Sequence, residues 1–409
     1  CLNKEMTKIK PKIVVIFPKT RPSHLARLNT LVAKDIYSVI GIEIVALNQN
    51  SSWGGRKDTN KFDCYTLFYE NDGTKINSAL IWKKLQATLD EISPQIVAVP
   101  GWSKPSALAA LAWALSHQVP PVLLSESSED DRNIIKKAIK RKIIKTFSSA
   151  LVGGTPQTQY LQSIGFSKTC IFQGYNVVDN EHFLSGSQNA SQNPTWFCQK
   201  FNLPEQYFLI SSRLVKQKNL FRVVDAYAKY NESFGKNAWK LVIIGEGDLY
   251  DKLYTYIKDL NLVNSIFLFG WQEYDDLPVF YGLAGAFIHA SIFEPWGMVV
   301  NEALAAGLPV IVSNRCGCAF DLVQEGKNGF KFCPYDIDLL ASLMGTISNS
   351  DCDKEAMGNS SKTIINAWSP TVFADNLVKA ANQVLGMQKS RFQFSDQALL
   401  WSLARFQKL

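Results

Sequence analysis

Only four histidines occur in 409 residues, and none stands at zinc-ligand spacing, so the sequence offers nothing from which to build a structural metal site. The eight cysteines contain no CxxC pair. Their scatter fits reduced thiols in a cytosolic protein better than a disulfide framework. Long hydrophobic runs are missing too: the longest candidate, SALAALAWAL, is broken by Ser, His and Pro before reaching the ~18 residues a bilayer-spanning helix needs. That excludes an integral membrane protein. The start, CLNKEMTKIKPKIVVIF, carries no apolar signal region, and Met6 reads as the natural start. Charge is modest, with 43 Lys and Arg against 36 Asp and Glu for a net +7, and no recognition motif accompanies it, which argues against a nucleic-acid partner. What remains is a chain 46% hydrophobic and 19% charged, long enough for two globular domains.

The richest segment is 289–317, HASIFEPWGMVVNEALAAGLPVIVSNRCG. An apolar run ends at Ser291, a polar loop carries Glu294 and Gly297, and an Ala/Leu-rich helix carries Glu302 eight residues after Glu294. The open amides at such a helix start favour a diphosphate, and Gly297 lets it approach closely. Glu302, about one turn further in, can accept hydrogen bonds from ribose hydroxyls, while Glu294 faces the sugar. Upstream, YFLISSRLVKQKNL ends a strand at Ser211 and delivers Arg213 and Lys218 into a strand-to-helix loop. Arg grips a pyrophosphate bidentately and Lys acts as a point charge, so the pair suits a departing nucleoside diphosphate.

Between these segments, WKLVIIGEG ends a strand at Gly245 and Gly247, and NSIFLFGWQ ends another at Gly270, Trp271 and Gln272. In open parallel sheets ligands bind outside the carboxyl ends of the strands, which puts these turns on one side.

The set SSRLVKQKN, IIGEG, FLFGW, HASIFEPWGMVVNEALAAGLPVI and NRCGCAFDLVQEGKNGF resembles the C-terminal domain of GT-B glycosyltransferases, especially the retaining GT4 family, over most of 207–385. The resemblance implies an α/β chain of two Rossmann-like, doubly wound domains facing an interdomain cleft. A C-terminal helix crosses back to the first domain. It makes Arg213 and Lys218 the donor-phosphate pair, Glu294 and Glu302 the acids of an E-x7-E motif, and Gly297, Met298 and Val299 suppliers of backbone amides. The base is expected near Gly270, Trp271 and Gln272, and no cofactor or metal is implied beyond a UDP- or GDP-linked sugar.

The first half repeats strand/helix alternation, as a doubly wound parallel sheet requires. The expected domains are 1–185 for the acceptor and 193–385 for the donor, joined by the polar stretch SGSQNASQNPTW, with 386–409 as the returning helix. Within NVVDNEHF, Asn176, Val178, Asp179 and Phe183 match the family's interdomain segment. The first turn, FPKTRPSHLARL, lacks the family's glycine-rich pair. Lys19, His24 and Arg27 there can meet an acceptor, or His24 can merely cap its helix. Where the family places an active-site histidine this chain has Ser125-Glu126. Glu126 reads either as a partner for a sugar hydroxyl or as a cap for the next helix. Trp102 reads either as a stacking platform or as packing. Residues 132–147, RNIIKKAIKRKIIKTF, hold seven cations and no acid on a helical apolar stripe. The stripe either packs on the sheet or attaches the protein peripherally to anionic lipid at the cytoplasmic membrane face. Acceptor glycan, lipid and small molecule remain open. The rival readings are a GT-B epimerase or phosphorylase and a non-catalytic partner subunit.

Overall fold

The alternating apolar runs form two all-parallel sheets in the computed structural model, which describes residues 10–46, 61–70, 76–128, 134–385 and 394–405. The first sheet is built by β1 (Lys12–Phe17), α1 (Pro22–Ala33), β2 (Ser38–Ala46), β3 (Asp63–Tyr69), α2 (Ser78–Ile92), β4 (Ile96–Pro100), α3 (Pro105–Ser116), β5 (Pro121–Ser125), α4 (Ile134–Ile144), β6 (Ser149–Val152), α5 (Thr155–Ser163) and β7 (Ile171–Gln173). Its strand order is β3-β2-β1-β4-β5-β6-β7. After α6 (Asn180–Gln192) and α7 (Pro194–Phe201), the second is built by β8 (Tyr207–Ser211), α8 (Leu220–Phe234), β9 (Lys240–Ile244), α9 (Tyr250–Asp259), β10 (Ile266–Gly270), α10 (Leu277–Gly282), β11 (Ala286–His289), α11 (Met298–Ala305), β12 (Val310–Ser313), α12 (Ala319–Leu322) and β13 (Gly329–Phe332). Helices α13 (Ile337–Ser348), α14 (Lys354–Ile365), α15 (Pro370–Leu385) and α16 (Phe394–Arg405) complete the chain. The second order, β10-β9-β8-β11-β12-β13, reverses between β8 and β11, where an open sheet leaves a crevice for ligand.

Helices cover the sheets, so most strands are near-continuous apolar runs rather than alternating, while β3 starts on exposed Asp63 and Cys64. In β8, Phe208 and Ile210 join one core with Val223 and Tyr227, while Tyr207 and Leu209 join the opposite core with Val300 and Leu304. Helix α3 is apolar all round because α2 and α16 cover what the sheet does not.

The described residues fall into unit 1 (Cys1–Gly153, Gln157–Tyr175, Pro370–Leu409) and unit 2 (Gly154–Pro156, Asn176–Ser369). These bounds differ from the expected ones. The returning segment starts at Pro370, not 386, because α15 already buries Phe373, Ala374, Leu377 and Ala381 while packing on α1, β6 and β7. The first boundary lies at Tyr175 rather than 185, and the stretch read as a linker is helical. Asp179 caps α6 by accepting from the His182 amide, and Phe183, Ser187 and Ala190 bury one face. Polar composition hid that buried stripe.

Candidate functional site

The loop after β8 is shaped by glycines on the neighbouring strand. Gly245 has φ +122°, and a Cβ there would lie 2.0 Å from the Ser212 carbonyl; one on Gly247 would lie 2.5 Å from that of Leu214. Only bare backbone allows this approach. It lets the Leu214 amide donate to Glu246 O (2.8 Å) and the Leu249 amide to Leu214 O (3.0 Å), which fixes the loop carrying Arg213 and Lys218. Gly245 and Gly247, expected to touch donor, thus hold that loop. Lys218 closes a single 3-10 turn, Lys216–Lys218, and Asn219 at φ +62° starts α8.

Because β8 and β11 are neighbours, their two loops meet. The Ile292 amide donates to Gln217 O at 3.0 Å, and the Gln217 side chain donates to Phe293 O. The second loop is further zipped to 315–317: the Glu294 amide donates to Arg315 O (3.2 Å), and that of Gly317 to Glu294 O (2.9 Å). Buried Trp296 donates from its indole to Asn301 Oδ1 at 2.8 Å, and Asn301 donates in turn to Asn176 O at 3.0 Å. Gly297 at φ +104° then starts α11 beside Glu294, a Cβ on it lying 3.6 Å from Glu294 Cγ, and a helix start leaves its first amides short of intrahelical partners. Met298 accepts a contact on sulfur from Asn176 at 3.7 Å, and Val299 is partly buried in the core.

The structure brings Lys218, Ser291, Glu294 and Gly297 together. Lys218 Nζ pairs with Glu294 Oε2, and both side chains are largely shielded. Burial raises the Glu294 pKa, but the contact with His289 and the charge and hydrogen bond of Lys218 outweigh it and hold the carboxyl at about 2. Ser291, expected on the donor surface, is fully buried behind Glu294, with Oγ 3.4 Å from Glu294 Oε2. His289, which the sequence reading missed, lies 3.6 Å from the same oxygen; burial holds its pKa below the usual value and the imidazole neutral. A lone histidine closing an apolar strand just before the loop was the available signal.

Glu302 points elsewhere. Tyr281 on α10 donates to its Oε2 at 2.7 Å, and desolvation lifts its pKa to about 7 against that bond. A carboxyl with one donor in a half-buried place is poised to accept hydroxyls. Arg213 is exposed and has no ion-pair partner among the described residues. Gly270 at φ +70° leads into Trp271, 45% exposed, while Gln272 folds back to donate to Phe269 O at 2.9 Å.

In unit 1 most of the candidates take part in packing or in local hydrogen bonds. His24 Nδ1 accepts from the Arg21 amide at 3.2 Å, capping α1, and its ring stacks on Phe17. Burial holds it well below its usual pKa. Arg27 is 4% exposed, with its guanidinium 5.0 Å from the Tyr175 ring and 5.7 Å from that of Phe373. Lys19 forms an exposed pair with Glu70 at 2.9 Å. Trp102 lies under buried Lys140, 4.8 Å from its ring, so one of the seven cations belongs to the core rather than to a solvated or lipid-facing stripe. Ser125 is buried and accepts from the Ser127 amide at 3.2 Å. Glu126 is exposed at the end of β5, and Arg27 and Tyr175 feel its charge. Helix α4 is described from Ile134, and the acidic run between Glu126 and it lies outside the described residues. Among the described residues no group of His, Cys, Asp or Glu is arranged to hold a metal, and no helix is long and apolar enough to cross a membrane.

Residues 196–363 match the sequence model of "Glycosyl transferases group 1". That match lies within unit 2, which resembles a group 1 glycosyl transferase domain. Curated relatives include the poly(glycerol-phosphate) alpha-glucosyltransferase of Bacillus subtilis, 28% identical over 48% of this chain and 29% of that protein. The alpha-monoglucosyldiacylglycerol synthase of Acholeplasma laidlawii is 32% identical over 30% of each. The matches thus span about half or less of the first curated relatives. Among solved structures, a glycosyltransferase from Rickettsia africae has a TM-score of 0.72 at 17% identity, covering 93% of this chain and 100% of that one. Anabaena HepE in complex with UDP and glucose has 0.70 at 16%, covering 92% and 100%. The fold of this chain is that of these GT-B neighbours.

Proposed function

We propose that the protein transfers a sugar, with retention, from a UDP- or GDP-linked donor to an acceptor hydroxyl. The observation that carries this reading is the joining of Lys218 and Glu294 beside the open start of α11, where cation, carboxylate and amides can meet one sugar diphosphate. Solved GT-B neighbours that hold UDP, UDP-glucose or UDP with glucose support the donor class. In the reaction the acceptor oxygen bonds to the anomeric carbon as its bond to the phosphate breaks, and the hydroxyl proton passes to the departing diphosphate oxygen. Lys218, Arg213 and the α11 amides stabilise the charge developing there, the task a metal performs in other transferases, so no cofactor is required. Glu294 orients the sugar and Glu302 takes the ribose hydroxyls.

Acceptor contacts fall to unit 1, with Glu126 the exposed candidate and Arg27, His24, Ser125 and Trp102 supporting it. Relatives named for lipid-linked acceptors, such as the N,N'-diacetylbacillosaminyl-diphospho-undecaprenol enzyme of Campylobacter jejuni, favour a lipid or polymer precursor. Helix α4 and the turn after it support peripheral attachment by charge alone: Lys137, Arg141, Lys142 and Lys145 are exposed, while Ile143, Ile144 and Phe147 are buried. Such contacts give about 1 kcal/mol per cation at an anionic surface. Incubation with a panel of nucleotide sugars, assayed for released UDP or GDP, is the test. Turnover with one donor is expected; none, with or without acceptors, would leave the partner-subunit reading.

A further inference from the structure

We propose that His289 is a positioning residue for Glu294: with Ser291 it holds one oxygen of that carboxylate and so turns the other toward the donor sugar. The inference rests on the glycosyl-transfer reading above. Three groups converge on Glu294 Oε2, namely Lys218 Nζ, Ser291 Oγ at 3.4 Å and His289 Nε2 at 3.6 Å. No described group bonds Oε1. Ser291 Oγ also lies 3.3 Å from His289 Nε2, so an Nε2–H can donate to the hydroxyl while the hydroxyl donates to the carboxylate.

The three supports differ in rigidity. Lys218 sits on a flexible stem in a loop, and a bound diphosphate competes for its charge. His289 is 2% exposed, is paired with Val312 across the sheet, and has its ring stacked at 11° on Phe287. A Cβ on Gly297 would lie 3.5 Å from its Nε2, so the imidazole fills the floor beneath the loop. When Lys218 turns to the diphosphate, His289 and Ser291 keep the carboxylate in place. Fixed geometry of this kind is worth more in the transition state than in the bound ground state.

The test compares His289→Leu, His289→Gln and Ser291→Ala with the wild type by kcat, KM, melting temperature and calorimetric affinity for UDP and UDP-glucose, or for GDP and GDP-mannose if GDP is the base bound. His289→Leu is expected to lower kcat at least tenfold and to weaken UDP-glucose while leaving UDP affinity within twofold. His289→Gln, whose amide can still donate, recovers part of the loss, and Ser291→Ala costs a few-fold in kcat without loss of fold. A folded Leu variant with kcat within twofold of wild type would overturn the inference. So would UDP affinity falling in step with that of UDP-glucose, or a Gln variant as impaired as Leu. If the Leu variant does not fold, Ser291→Ala decides: an unchanged kcat refutes the holding role. A wild type that binds no nucleotide sugar removes the parent reading instead, and this one with it.

Discussion

Units 1 and 2 share a doubly wound plan, yet their candidate residues fare differently. In unit 2, side chains from the loops after β8 and β11 converge on one carboxylate at the strand-order reversal. In unit 1, Arg27 and Trp102 are taken into the packing and His24 into a helix cap, leaving Glu126 exposed. The difference teaches that charge in a strand-to-helix loop marks a site when adjacent strands bring a countercharge to it. A polar residue is as readily used to finish a helix, as His24 is, or to fill a core, as Lys140 is.

Lys218→Ala probes the contrast hardest. Turnover should fall on the order of 10²–10³-fold, as for loss of one transition-state donor. Thermal denaturation should show a much smaller effect; equal damage to both would make the lysine structural and erase the contrast. Next is Glu302→Ala, expected to weaken nucleotide binding by about 1–3 kcal/mol as measured by calorimetry. Unchanged affinity would remove its ribose role.

The same carboxyl has a pH signature. Its folded pKa of about 7 lies above the roughly 4.3 of an unfolded glutamate, so the fold favours the protonated form. Through this group stability should fall as pH rises from about 4.3 to 7 and then level off, while nucleotide affinity rises across pH 7. Glu302→Gln should flatten both slopes; melting curves and titrations from pH 5 to 8 check this.

In unit 1 the expected effect is on stability. Arg27→Ala should cost about 2–3 kcal/mol by stripping a buried stem from between two aromatic rings. Glu126→Gln, on the surface, should shift stability by less than about 0.5 kcal/mol. If Arg27→Ala loses turnover without melting earlier, unit 1 is as much a site as unit 2. The smallest expected effect is that of EDTA, which should leave turnover unchanged; its loss would overturn the metal-free scheme.

Much of this was readable from local pattern. The continuous apolar strands, the strand–loop–helix carrying Glu294 and Glu302, and the cationic loop after β8 follow from periodicity and turn chemistry within about thirty residues. Short or polar elements were not: β7 is three residues long, and α6 hides its buried stripe among Ser and Asn. Ser291 stands in a loop that the sequence singles out, but its burial was not legible there.

By itself, then, the sequence determined two parallel α/β sheets and the chemistry available at their loop ends, because hydrophobic period and helix starts are local properties. Only the tertiary structure decided that Lys218 meets Glu294, 76 positions away, that His289 stands beneath them, and that α15 returns to close over Arg27. Strand order places β8 beside β11 across an intervening stretch of chain, and no spacing along the sequence states which neighbours a crossover will create.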